Sequence, residues 1–126
     1  MIDFYALKLD FDEKFDPIVV EKLLNSVAPE KKQRLERFYR EEDKLRGLFA
    51  DLLSRDMIRE KTGIKNEKIS FTANEYGKPF LKGSEDVQFN LSHSGEWVVG
   101  AIDKAQIGVD VEKVQEIVLD ISKNFF

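Results

Sequence analysis

The sequence predicts an α+β domain with helices packed on an antiparallel sheet, and three observations carry that prediction. Before Gly63 the apolar residues recur at helical spacing. After it the chain changes to short alternating runs separated by turn residues. Hydrophobic residues at 42% beside charged residues at 35% give the balance of a globular protein with a single core, and 126 residues suit one domain spanning 1–126.

Ile2 to Leu9 alternates well enough to open the chain as a strand, with the register at Phe4, Ala6 and Leu7 undecided. Asp16-Pro17 is a cap followed by proline at the first helical position, and Val20, Leu23, Leu24 and Val27 then form one stripe. Pro29 restarts the chain. From Glu30 to about Lys61, Leu35, Phe38, Leu45, Phe49, Leu52 and Ile58 keep a helical period, as one long helix or two divided near Asp43. Thr62-Gly63-Ile64 stops it, with glycine free to take a positive φ.

Ile69 to Thr72 reads as a strand, Asn74 to Pro79 as a loop and Gln88 to Leu91 as another strand. Phe89 to Gly95 runs into a polar turn, Glu96 to Ile102 is the next strand, and Asp103 to Gln106 turns the chain again. Ile107 to Glu112 then returns antiparallel, with Ile107, Val109 and Val111 inward. Val114 to Phe126 closes as a helix with Ile117, Val118, Ile121 and Phe125 in one stripe. Trp97 reads as a sheet-face or core aromatic.

Charge and composition exclude several function classes. A net charge of −4 argues against a general nucleic-acid binder, and the lack of cysteine excludes disulfides and thiolate metal sites. The N-terminus shows neither a basic leader nor a long apolar run, so no membrane partner is expected and cytoplasmic residence is.

Some residues point to chemistry. Asp110 and Glu112 lie side by side on one strand face, which suits either a solvated strand end or a pair with a cation such as Mg²⁺ between them. Ser92-His93-Ser94-Gly95 holds the one histidine in a polar turn, a surface cap or a phosphate-contacting cluster. Lys31 and Arg34, three apart on a helix, can present two cations to one anion, although most charges around them read as a salt-bridged face.

Gly77-Lys78-Pro79, Phe89 to Ser94, and Gly108-Val109-Asp110-Val111-Glu112-Lys113 occur in the order of the motifs of the 4′-phosphopantetheinyl transferases of the surfactin-synthetase-activating type, which the chain resembles. The resemblance implies one lobe of a two-lobed fold. It also implies transfer of the phosphopantetheine arm of coenzyme A to a serine of an acyl or peptidyl carrier protein. Lys31, Arg34 and Arg46 would then face the phosphate and ribose end of coenzyme A, Lys78 and Pro79 would lie along its adenine end, and Ser92 and His93 would hold its phosphates. Asp110 and Glu112 would hold catalytic Mg²⁺ on the pyrophosphate, where charge neutralisation and in-line positioning do most of the catalysis.

The family's third motif, a Lys-Glu pair in the second half, does not follow within the sequence. The isolated chain is therefore expected to bind coenzyme A at best, without turnover, and a homodimer through the surface a second lobe would cover is compatible with this. Two other functions fit the same residues: a non-catalytic module for coenzyme A or a carrier protein, and an unrelated Mg²⁺-dependent nucleotide hydrolase.

Overall fold

The computed structural model describes residues 2–73, 75, 79–84 and 86–104. They form the expected α+β arrangement: β1 (Asp3–Lys8), α1 (Pro17–Leu24), α2 (Pro29–Glu36), α3 (Glu41–Thr62), a short 3-10 turn at Asn66–Lys68, β2 (Phe71–Ala73), β3 (Pro79–Leu81), β4 (Val87–Ser94) and β5 (Trp97–Lys104). The acidic strand and last helix expected within residues 107–126 lie outside the described residues, and with them Asp110 and Glu112.

The larger sheet runs β1-β5-β4, antiparallel throughout, and β2 and β3 make a separate two-stranded ladder. On β1 the alternation settles the register, with Phe4, Ala6 and Lys8 exposed and Tyr5 and Leu7 turned inward. β5 lies in the middle, so the stretch from Val98 through Asp103 is buried.

Local chemistry sets the helix ends. Asp16 Oδ1 accepts the Ile18 amide at 2.9 Å, capping α1 ahead of Pro17. Gly63 takes φ 79° and its N–H returns to the Arg59 carbonyl at 2.8 Å, ending α3. The long basic stretch does divide, but at Arg37 to Arg40, ahead of Asp43. Arg40 precedes the first turn of α3 without a side-chain cap bond, and the Asp43 carboxylate is bonded to Arg46 three residues on. Pro79, placed in a loop by its sequence neighbours, opens β3, where Ala73 pairs with it. Asp103 and Lys104 prolong β5 beyond the expected turn.

α3 belongs to two hydrophobic clusters. Its first half packs Leu45 and Leu48 with Val20, Leu24 and Val27 of the α1 region and Leu35 of α2. Its second half packs Met57 and Ile58 on Ile69, Leu81, Val87, Phe89 and Ile102. The helix can lie that close to the sheet because β5 has glycine beneath it: a Cβ on Gly100 would stand 2.7 Å from Met57 Sδ and 3.0 Å from Leu91 Cδ2. β1 is tied to the far end of α3 by Tyr5 Oη donating to Glu60 at 2.6 Å and Lys61 Nζ donating to Asp3 at 2.9 Å. No helix among the described residues is long and apolar enough to cross a membrane.

Candidate functional site

Between α2 and α3 on one side and strands β2 and β4 on the other lies a cavity of about 660 Å³. Glu30, Lys31 and Arg34 of α2 line one wall, Asp51, Ser54 and Arg55 of α3 another, and the stretch from Ile69 through Ala73 faces them together with Phe89 and Leu91 of β4. Its position follows from sequence: α2 is pressed on α3 where Gly47 replaces a side chain, a Cβ there standing 2.6 Å from Leu35 Cδ2. Lys31, on the α2 face that looks across to α3, is thereby half-buried beside Asp51.

Neighbouring lysines have different fates. Lys32 is spoken for, with Glu21 Oε1 at 3.1 Å and Asn25 Oδ1 at 2.7 Å tying α2 to α1. Lys31 and Arg34 make no ion pair or side-chain hydrogen bond among the described residues. Burial holds the Lys31 ammonium below the usual lysine range, and the Arg34 charge adds to this while Asp51 opposes it. Two cations facing a partly enclosed space, opposite aromatic and aliphatic walls, suit a ligand with both anionic and flat apolar parts.

The acid in the α3 wall, Asp51, is already matched. Arg55 Nε donates to Asp51 Oδ1 at 2.7 Å, Arg55 Nη1 reaches Asn66 Oδ1 at 3.2 Å, and its guanidinium lies 5.4 Å from the Phe71 ring centre. Neither Asp51 nor Arg55 stood out in the sequence. Their one visible signal was the i, i+4 spacing of opposite charges, which solvent-facing helices share.

Arg46 and His93 meet from α3 and β4. Burial pushes the imidazole below its ordinary 6.5, and the Arg46 and Lys31 charges push it further, with Asp43 opposing. The residue still meets solvent. Lys31, Arg46 and His93 therefore share one electrostatic neighbourhood drawn from three elements.

Ser92 is not in it. His93 pairs with Val98 and Ser92 with Val99, so strand alternation sends the two side chains to opposite faces of the sheet. His93 shares the α3 face with Gly100, whereas Ser92 shares the face of the fully covered Val99 and Ala101. Pro79 stands at the start of β3, and Lys78 lies outside the described residues.

The carboxylates of Asp10, Asp12 and Glu96 come within 4.8 Å of one another. Asp10 and Asp12 are exposed, Asp10 accepts the Asp12 amide, and Lys8 Nζ stands 3.9 Å from Glu96. This is an acidic surface turn already partly matched by hydrogen bonding and charge.

An α+β lobe with an anion-facing cavity between helices and sheet is the architecture found, and comparison with known proteins gives its family. The profile described as 4'-phosphopantetheinyl transferase, N-terminal, matches residues 16–105, and the chain belongs to this family. It is 42% identical over 106 residues to the 4'-phosphopantetheinyl transferase Sfp of Bacillus subtilis (strain 168), covering 84% of this chain and 47% of that protein. It is 39% identical over 126 residues to the 4'-phosphopantetheinyl transferase gsp of Aneurinibacillus migulanus, covering 100% of this chain and 52% of that protein. A further relative is the L-aminoadipate-semialdehyde dehydrogenase-phosphopantetheinyl transferase of Xenopus laevis, 36% identical over 93 residues, or 69% of this chain and 31% of that protein. The chain spans about half the length of the two bacterial relatives.

Proposed function

We propose that this chain supplies the coenzyme A-holding part of a transferase that moves the 4′-phosphopantetheine arm to a serine of a carrier protein, in the cytoplasm. The observation that carries the reading is the pair of cations without partners among the described residues, Lys31 and Arg34, on the wall of a cavity whose other side is Phe71, Phe89 and Leu91. Such a cavity can take a nucleotide with its phosphate on the cations and its base on the apolar side. His93 and Ser92 would hold further phosphate of the ligand, His93 from the α3 face of β4 and Ser92 from the other.

Cleavage of a pyrophosphate bond needs charge compensation and alignment above all. Asp110 and Glu112 are the groups we assign to Mg²⁺; two hard oxygen donors suit that ion, which completes its shell with water and phosphate. Mg²⁺, when bound, would neutralise the pyrophosphate charge. Lys31 and Arg34 would fix the nucleotide end, and Lys78 and Pro79 would line it.

Calorimetric titration with coenzyme A and with ATP, each with and without Mg²⁺, tests the reading. Coenzyme A should bind, and more tightly than ATP. Preference for ATP would favour a nucleotide hydrolase and end the transferase assignment. The 126-residue chain alone is expected to leave the carrier unchanged, so the chain joined to the second lobe of a relative is the form in which a mass increase of one phosphopantetheine arm on a carrier protein separates a transferase part from a module that only binds.

A further inference from the structure

We propose that Arg46 is a positioning residue that acts through the turn between β4 and β5 and does not hold phosphate itself; this rests on the reading of the cavity given above. Arg46 Nη1 donates to the Gly95 carbonyl at 2.8 Å, and Nη2 donates to Asp43 Oδ1 at 2.8 Å. The guanidinium carbon lies 5.4 Å from the centre of the Phe11 ring. Phe11 in turn sits against Phe15 at 6.3 Å, and Phe15 against Phe49 of α3 at 5.9 Å. The side chain is only 19% exposed, so its planar fork is held on three sides.

What it holds is the turn directly after His93. Gly95 takes φ 56°, a left-handed backbone that glycine adopts readily, and this sets the direction of its carbonyl. On the other side of the same turn the Leu9 amide donates to the Glu96 carbonyl at 2.6 Å. The hairpin tip is thus gripped by α3 through Arg46 and by the segment after β1 through Leu9. That segment also carries Phe11, the ring beneath Arg46, so helix, hairpin and segment brace one another. Without Arg46, the Gly95 carbonyl and Asp43 both lose a charged donor, and the end of β4 is free to shift relative to Lys31. A lysine in its place keeps the charge but cannot reproduce the fork or the stacking.

The test uses Arg46→Lys, Arg46→Gln and Phe11→Leu, with folding checked by circular dichroism. His93 is the one histidine in the sequence, so its imidazole signals need no assignment among competitors. In the ligand-free protein these signals should move in all three variants, including Phe11→Leu, which changes no charge. In Arg46→Gln the His93 titration midpoint should also rise as a repelling charge leaves. Coenzyme A affinity should fall about tenfold in Arg46→Lys, with a similar fall for dephospho-coenzyme A. Full affinity in Arg46→Lys, or ligand-free His93 signals unchanged in Phe11→Leu and Arg46→Lys, would overturn the role. If the unaltered chain binds no coenzyme A, the reading of the cavity falls, and the ligand-free spectra alone decide whether Arg46 holds the turn.

Discussion

Asp51 and Arg55 form an ion pair at 2.7 Å inside the cavity wall, with 11% and 8% of their side chains exposed. Their separation is one helical turn, so the carboxylate that could have neutralised Lys31 is bound to a guanidinium instead. The pair matches Asp51 within its own wall, so that acid does not neutralise Lys31 and Arg34, which line the cavity with Glu30.

Arg55→Leu should therefore cost about 3 kcal/mol of stability, because it leaves a buried carboxylate without its partner. The double change Asp51→Leu with Arg55→Leu should cost less than the single one. Urea denaturation of the three variants measures this, and a double variant less stable than Arg55→Leu would contradict the account. Arg55→Leu should also weaken coenzyme A binding, as Asp51 then turns its charge on Lys31.

Lys31→Ala and Arg34→Ala should each weaken coenzyme A binding by about 1 to 3 kcal/mol through loss of a charge-assisted bond. Calorimetry with dephospho-coenzyme A sharpens the result. If each variant loses as much affinity for that ligand as for coenzyme A, these cations do not read the 3′-phosphate.

His93 gives a pH dependence of definite sign. Its pKa in the folded chain lies below the ordinary 6.5, from burial first and then from Arg46 and Lys31, so between the two values the unfolded chain holds more proton. This contribution to stability is complete above 6.5 and is lost as pH falls through the window beneath it. A bound phosphate draws the proton the other way, so coenzyme A affinity should rise as pH drops from about 8 to about 6. His93→Gln should flatten that rise, and a slope unchanged in this variant would remove His93 from the ligand's surroundings.

Gly100→Val should destabilise the chain by roughly 1 to 3 kcal/mol, since its side chain would enter the space of Met57. Gly100→Ala should cost less, because the methionine tip can turn aside. Equal stabilities of the two variants would mean that α3 does not rest on the sheet at that point.

Where a single residue's chemistry decided local structure, the sequence was readable: Asp16 capped its helix, Gly63 ended the next long one, and Val20, Leu24 and Leu35 went inside. Lys31 and Arg34, singled out because their spacing suits one anion, lie together on the cavity wall. Asp51 and Arg55 could not, since a charge pair one turn apart looks the same on a wet face as in a cavity wall. The helix break came at Arg40, where no capping side chain marks it, and β3 escaped notice because a three-residue strand opening with proline looks like a turn. That Ser92 and His93 part to opposite faces follows from strand alternation, yet it became plain only once both were seen within β4.

Because the cavity is lined by α2 and α3 on one side and by β2 and β4 on the other, a ligand lodged there would be a clasp between helices and strands. Occupancy then reports on folding: a molecule that binds only the assembled seam raises the melting temperature in proportion to the logarithm of its concentration. It also suppresses excursions in which α2 lifts from α3, which hydrogen exchange at the α2 amides would register as slower opening. Saturation of this site and rigidity of the layer around it are one equilibrium seen from two sides.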